Sequence, residues 1–144
     1  MTRSRGIWLN ATVLAVAGGA AFWITNFAIS LTPIAADYRA ALDIPYLPML
    51  LGALVGGLIV GLFVSYGLLR FFRSIPSDSP VRKSLLLSLL AFVVFTAATE
   101  IPSKLLTPTP DAARYFLVAA VFNVVRFAGL GLVIGWLYDR FAVE

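Results

Sequence analysis

Four long apolar stretches constrain the fold of this chain more than any other feature. The crossings are predicted at residues 7–31, 47–72, 82–106 and 112–138. Each has the roughly 20 residues that a helix needs to cross a hydrocarbon core about 30 Å thick. Surface helices of soluble proteins carry a polar face, whereas these segments are apolar almost all the way round. The sequence therefore predicts an all-α integral membrane protein, a four-helix transmembrane bundle in which residues 1–144 form a single transmembrane domain.

The composition supports this fold class and excludes several classes of function. Hydrophobic residues make up 60% of the 144 residues and charged residues 12%, which leaves no room for a soluble domain. The chain has no Cys and no His, so Cys/His zinc sites, haem ligation and thiol or imidazole catalysis are excluded. We find no motif of a metal, phosphate or nucleophile site. We therefore predict no catalytic residues, no enzyme activity, no metal and no cofactor.

Lysine and arginine residues concentrate at alternate ends of the predicted crossings. Cytoplasmic loops carry an excess of these residues, so the richer end is predicted to face the cytoplasm together with both termini. Topology also explains the net charge of +4, and no nucleic-acid partner is predicted. The Ala-, Leu- and Arg-rich composition suggests a multi-pass protein of the cell membrane, in a bacterial inner membrane. The richer end, called the inner end below, contains Arg3, Arg5, Arg70, Arg73, Arg82, Lys83 and Arg140; the outer end contains Arg39, Lys104 and Arg114.

Proline residues that follow a capping residue mark three predicted helix starts. Proline suits the first helical position because its missing N–H would be unsatisfied there, and the preceding Ser or Thr caps the turn. Thr32 and Pro33 are predicted to open a short interfacial helix, 34–43, in the first outer loop. The other two starts are Ser79-Pro80 for the third crossing and Thr109-Pro110 for the fourth. Asp111 would lie near the N-terminus of the fourth helix, where the positive end of the helix dipole favours an acidic residue.

The two halves of the chain resemble each other. Segments 57–63 and 131–137 share a Gly-x-x-x-Gly pattern, and Asn26 and Glu100 are equivalent at the same offset. Two explanations stay open: a 2+2 duplication with parallel repeats, or chance recurrence of the small and apolar residues that any crossing contains. The repeats would be about 1–74 and 75–144.

Glycine residues form close-packing patterns on the second and fourth crossings. Apolar helices gain little from contact in lipid, so close backbone approach drives their association. The patterns predict helix packing within one chain, and alternatively an interface in a homo-oligomer or larger membrane complex. The glycines are Gly52, Gly56, Gly57, Gly61, Gly131 and Gly135.

Four polar side chains are predicted to form a cluster in the outer half of the membrane. Arg126 lies near the middle of the fourth crossing with Asn123 one turn before it, and Asn26 and Glu100 lie at similar depth on two other crossings. A central Arg costs about 2.5–3.5 kcal/mol on insertion scales. Because a carboxylate partner lowers that cost, we expect Glu100 to pair with Arg126.

This cluster admits two interpretations, one structural and one functional. A buried ion pair can fix the register of two helices, but intramembrane ionisable residues also mark solute and proton pathways. The functional hypothesis is a small transporter- or channel-like protein that binds a polar or zwitterionic solute at Asn26, Glu100, Asn123 and Arg126. The alternative is an accessory or assembly subunit that docks onto a larger membrane complex through its Gly-rich helix faces.

Overall fold

The structure consists almost entirely of helices. The computed structural model describes the backbone of residues 2–142 and the side chains of residues 5–141. A 3-10 turn, Phe72–Ser74, follows the second long helix, and a π-helical turn, Ile101–Leu105, follows the third. The helices are α1 (Thr2–Ser30), α2 (Pro33–Ala41), α3 (Tyr46–Phe71), α4 (Pro80–Glu100) and α5 (Ala112–Ala142).

Four of these helices are long and apolar enough to cross a membrane. The spans are Arg5–Ser30, Tyr46–Ser74, Pro80–Leu105 and Ala112–Phe141, and their bounds lie within a few residues of the predicted crossings. Large apolar side chains on all four, such as Phe63, face outward and stay exposed. An outer surface of this kind contacts lipid, so the chain is a multi-pass membrane protein.

Helices α1 and α5 pack together in the middle of the bundle, with α3 beside α1 and α4 beside α5. Apolar side chains from α1, α3 and α5 fill the space between them. Phe127 of α5 forms an edge contact with Phe22 of α1, with ring centroids 5.5 Å apart. The buried core comprises Leu14, Phe22, Val60, Val64, Leu68, Phe127, Leu130 and Ile134.

Glycine residues let α3 approach α1 closely. A Cβ atom added at Gly61 would lie 2.8 Å from the carbonyl oxygen of Ala15, and one added at Gly57 would lie 2.9 Å from the Phe22 ring. A Cβ atom cannot fit so close to the Ala15 backbone, so Gly61 needs to be glycine, and at Gly57 the Phe22 ring would have to shift. Gly52 and Gly56, in contrast, have no atom of the described residues within 4 Å of an added Cβ.

Helices α4 and α5 pack through the same kind of contact. A Cβ atom at Gly135 would lie 2.5 Å from the Val81 Cα atom, and one at Gly131 would lie 2.9 Å from Ser88. The Ser88 hydroxyl also donates to the Phe127 carbonyl across this interface. Four of the six predicted packing glycines therefore join helices within the chain.

The internal repeat is not confirmed by this packing. Gly57 faces Gly19 and Phe22. In the alignment of the two halves that pairs Gly57 with Gly131, Gly19 and Phe22 correspond to Val93 and Thr96. Its own equivalent, Gly131, faces Leu85 and Ser88 instead. The two helix pairs thus differ in register by about two turns of a helix with 3.6 residues per turn. Duplication stays a hypothesis.

The predicted short helix forms as α2, which begins one residue earlier and ends two residues earlier than expected. The Thr32 hydroxyl accepts a hydrogen bond from the Ala35 N–H at 3.3 Å, as a capping residue should. Asp43 has a φ of 52°, a left-handed conformation that short polar side chains tolerate, and it lies in the turn into α3. The position of α2 at the membrane surface stays a prediction.

The predicted start of the fourth crossing at Thr109-Pro110 is displaced. Asp111 also has a φ of 52°, which is not a helical conformation, and α5 begins at Ala112. The Asp111 carbonyl accepts from the Tyr115 N–H at 3.3 Å, so Asp111 is the residue that precedes the first helical turn.

Candidate functional site

Arg126 is held by two asparagine side chains. Its Nη1 donates to Oδ1 of Asn26 at 2.9 Å, and its Nη2 donates to Oδ1 of Asn123. Its Nε lies 3.4 Å from the carbonyl oxygen of Phe122 in the preceding turn. Asn123 is on the same face of α5 because it lies three residues earlier, whereas Asn26 reaches the guanidinium from α1. The structure therefore brings three of the four predicted site residues together.

Both asparagines are oriented by further contacts of their amide nitrogens. Nδ2 of Asn123 donates to Oγ1 of Thr96 on α4 at 3.2 Å, and Nδ2 of Asn26 lies 3.3 Å from the Met49 sulfur on α3. With the nitrogens so engaged, the amide oxygens point to Arg126. Since Asn123 and Asn26 are both buried, the network links all four crossings inside the bundle.

Glu100 pairs with Lys104 and not with Arg126, so the expected Glu100–Arg126 pair is wrong. Oε2 of Glu100 accepts from Nζ of Lys104, and no ion pair joins Glu100 to Arg126. The physical reason is the π-helical turn Ile101–Leu105, which contains Pro102 and leaves Lys104 only 6% exposed beside Glu100. Lys104, which the sequence analysis placed only among the basic residues of the outer end, neutralises the carboxylate that was expected to pair with Arg126.

Tyr38 of α2 lies over this ion pair. Nζ of Lys104 is 5.3 Å from the centroid of the Tyr38 ring, and the ring makes an edge contact with Phe122 at 5.8 Å. Burial raises the pKa of the Tyr38 hydroxyl above its ordinary value, against a hydrogen bond from Lys104 that lowers it. The Tyr38 hydroxyl is therefore neutral at pH 7.

A small cavity separates α2 from Arg126. Its volume is about 60 Å³, and its wall comes from α1, α2, the α2–α3 turn, α3 and α5. Two arginines, Arg39 and Arg126, line it, and none of its described lining residues is acidic. Nη1 of Arg39 donates to the Ser30 carbonyl at 3.2 Å, and the Arg39 guanidinium lies 4.9 Å from the Tyr46 ring centroid. The remaining lining residues are Asn26, Ile29, Ala35, Tyr38, Ile44, Met49, Ala119 and Phe122.

Several residues of this region were not predicted from the sequence. Lys104 lies four residues after Glu100, a spacing that brings oppositely charged side chains together on a helix and could have indicated the pair. Tyr38 and Met49 carry no such local signal, because only the folded bundle brings α2 and the first turn of α3 to the cluster.

Comparison with known proteins gives no match to a family model, to a curated protein or to a solved structure. The four apolar crossings define the class, a multi-pass membrane protein. Any more specific function has to be argued from the polar cluster and its cavity.

Proposed function

We propose that this chain is a small, non-enzymatic membrane protein of transporter or channel type that binds a polar or zwitterionic solute at the outer end. The observation that carries the proposal is the cavity beside Arg126, which contains two guanidinium groups and no carboxylate among its described lining residues. Intramembrane ionisable residues mark solute pathways more often than surface ones do.

The charges favour a solute with an anionic group. Glu100 is already neutralised by Lys104, whereas Arg126 has only neutral amide and carbonyl acceptors. A guanidinium has five N–H donors, and Arg126 uses three of them in these hydrogen bonds. A carboxylate can accept from the remaining donors and neutralise the buried charge. Asn26, Asn123 and Arg126 would contact the solute, and Glu100 would hold Lys104 beside it.

The size of the cavity limits what can bind without movement. A volume of about 60 Å³ equals about two water molecules at about 30 Å³ each. A carboxylate fits, but the rest of a zwitterionic solute requires α2 to move away from α5. Few backbone contacts hold α2 to the crossings, and its side-chain attachment includes the Arg39 hydrogen bond to Ser30 and the Tyr38 contacts with Phe122 and Lys104. Solute entry from the outer end would therefore displace α2.

Liposome swelling tests the proposal. Purified protein is reconstituted and the light scattering of the vesicles is followed in iso-osmotic glycine, betaine or sodium lactate. We expect protein-dependent swelling in at least one of these solutes and its loss in Arg126→Gln. A folded Glu100→Gln variant should retain swelling, because the unpaired Lys104 then adds a positive charge, which favours an anionic group.

Arg114→Gln is the matched control for these variants. Arg114 lies on the same helix as Arg126, but its side chain is 64% exposed at the outer end. Liposomes that contain the Arg114→Gln variant should swell like those that contain the wild-type protein. Swelling that is unchanged in a folded Arg126→Gln variant would contradict the assigned site.

The second candidate function, an accessory or assembly subunit, rests on Gly52 and Gly56. These glycines of α3 have no intramolecular neighbour in the described structure, and exposed Leu51, Val55 and Ile59 adjoin them. Small residues that face lipid allow another helix to approach closely, in a larger complex or in a homo-oligomer. Purification in mild detergent of the wild type and of Gly52→Leu with Gly56→Leu tests this. A stoichiometric heteromeric partner lost in the variant supports the accessory role, and a homo-oligomer lost in the variant supports self-association.

A further inference from the structure

We propose that the inner end of the bundle carries a binding site for the phosphate group of an anionic phospholipid. This site lies at the opposite end of the crossings from the Arg126 cavity and does not depend on the proposed transport function. A cavity of about 1040 Å³ opens there between the first turns of α1, the end of α3 and the end of α5. Its volume lies just above the range of about 300–1,000 Å³ that is typical of small-molecule sites.

The charged residues of this cavity have one sign. Arg70 and Arg73 line it three residues apart, one in the last turn of α3 and the other in the 3-10 turn that follows. No acidic residue is found among its described lining residues. Arginine binds phosphate oxygens through paired N–H donors, so two neighbouring guanidinium groups suit a phosphodiester better than a neutral headgroup.

A third positive charge lies behind the cavity wall. Lys83 of α4 is only 7% exposed, and its Nζ donates to the carbonyl oxygen of Phe72 at 2.6 Å. The same ammonium lies 3.9 Å from the centroid of the Phe72 ring, which lines the cavity. No ion pair between described residues includes Lys83, so its charge is not compensated by a carboxylate. A buried cation that lacks a counter-ion stabilises an anion bound nearby.

The other walls suit the glycerol and acyl part of a lipid. The Trp8 and Tyr66 rings stack with centroids 4.9 Å apart, and the Phe72 and Tyr138 rings stack at 4.8 Å. Aromatic residues of this kind are typical of the boundary between headgroups and acyl chains. Leu69 completes an apolar side of the cavity. A soluble phosphate compound would leave these surfaces unfilled, whereas a phospholipid of the adjacent leaflet covers them.

Native mass spectrometry of the detergent-solubilised protein tests the site. The protein is mixed with phosphatidylglycerol or phosphatidylcholine, and the fraction of lipid-bound protein is titrated for the wild type and for Arg70→Gln with Arg73→Gln. We expect tighter binding of phosphatidylglycerol to the wild type, and about tenfold or greater loss of affinity in the variant.

The matched control is Arg82→Gln with Arg140→Gln. It removes the same charge from the same end, but both residues lie outside the cavity lining, and Arg140 lies over Trp136 at 4.1 Å. It should bind phosphatidylglycerol like the wild type. Arg70→Lys with Arg73→Lys, which keeps the charge and loses the paired donors, should bind with intermediate affinity and provides a second test if the Gln variant fails to fold.

Three results would overturn the lipid site. One is equal loss of affinity in the control and cavity variants, which indicates only a general surface charge effect. Another is equal binding of phosphatidylcholine and phosphatidylglycerol by the wild type. The last is full competition by inorganic phosphate, which assigns the cavity to a soluble phosphate and not to a lipid.

Discussion

Arg126 shows how a single buried charge can be held in a membrane protein without a direct carboxylate partner. The Asn26 and Asn123 amide oxygens accept from its two terminal nitrogens, and Thr96 and Met49 orient those amides. Hydrogen bonds to charged groups contribute about 1.5–3 kcal/mol each, more than neutral ones. The arrangement satisfies the guanidinium in part and leaves donors available for a bound group.

Removing one amide should destabilise the fold. In Asn123→Ala, Nη2 of Arg126 and the hydroxyl of Thr96 both lose a buried partner. We expect a loss of about 1.5–3 kcal/mol in the free energy of unfolding, measured by denaturant titration in mixed micelles. Asn10→Ala, at an exposed position of α1, should change it by no more than about 0.5 kcal/mol. Equal effects of the two substitutions would show that the Asn123 hydrogen bonds contribute nothing to stability.

The Glu100–Lys104 pair gives a second prediction at this scale. Both side chains are largely buried, so Lys104→Met leaves an uncompensated carboxylate and should cost about 3–5 kcal/mol. The charge swap Glu100→Lys with Lys104→Glu should recover most of this loss, because it restores a pair in the same turn. Unfolding in mixed micelles measures both.

The control for this pair is Arg114→Met, which breaks the exposed Asp111–Arg114 contact at 3.9 Å. Exposed pairs contribute about 0–1 kcal/mol. If Lys104→Met costs no more than Arg114→Met, the Glu100–Lys104 pair is solvated and does not take the carboxylate away from Arg126.

The sequence predicted the members of the polar cluster better than their pairing. Asn123 and Arg126 are one turn apart on one helix, so their contact follows from local geometry. The prediction that Asn26 belongs to the cluster required only that it lie at a similar depth on another crossing. The spacing of four residues between Glu100 and Lys104 could have indicated their pairing, but neither Pro102 nor the hydropathy of the segment specifies the π-helical turn in which Lys104 is buried.

At the scale of the elements, glycine positions decide how closely the crossings approach. The hydropathy pattern predicted the four spans to within a few residues, since about 20 apolar residues leave few alternatives to a crossing. It could not tell the glycines that pack inside the chain from those that face lipid, because both kinds share one spacing. Gly57 and Gly61 contact α1, whereas a Cβ atom added at Gly52 or Gly56 on the same helix would meet no other described helix.

A pair of substitutions on α3 tests this distinction. Gly61→Leu places side-chain atoms against the Ala15 backbone and should destabilise the monomer by about 1–3 kcal/mol or more, because the helices have to separate. Gly52→Leu meets open space and should leave thermal unfolding of the monomer unchanged or slightly raised. Both are measured by thermal unfolding in detergent at a concentration at which the protein is monomeric. Comparable losses in both would mean that α3 packs through a different face.

At the scale of the whole molecule, the bundle has a distinct polar feature at each end. The outer end has the cavity with Arg39 and Arg126, and the inner end has the larger cavity with Arg70 and Arg73. Apolar side chains, including those of Leu14, Leu130 and Ile134, fill most of the core between them, so the described structure is closed at mid-depth. The proposed transport would therefore require a change in packing, and α2, which has few backbone contacts with the crossings, is the element that we expect to move at the outer end.

Cysteine labelling of the outer cavity tests the central claim most directly, and the chain has no native cysteine to interfere. Ala119→Cys places a thiol in the cavity lining, and Ser88→Cys places one in the buried α4–α5 interface as a control. Both are treated from the outer side with membrane-impermeant methanethiosulfonate reagents of opposite charge. We predict modification of the Ala119→Cys variant only, faster with the anionic sulfonatoethyl reagent than with the cationic trimethylammonium reagent, and loss of this preference when Arg126→Gln is added. No modification in either variant, or a preference for the cationic reagent, would contradict a solute site built around Arg126.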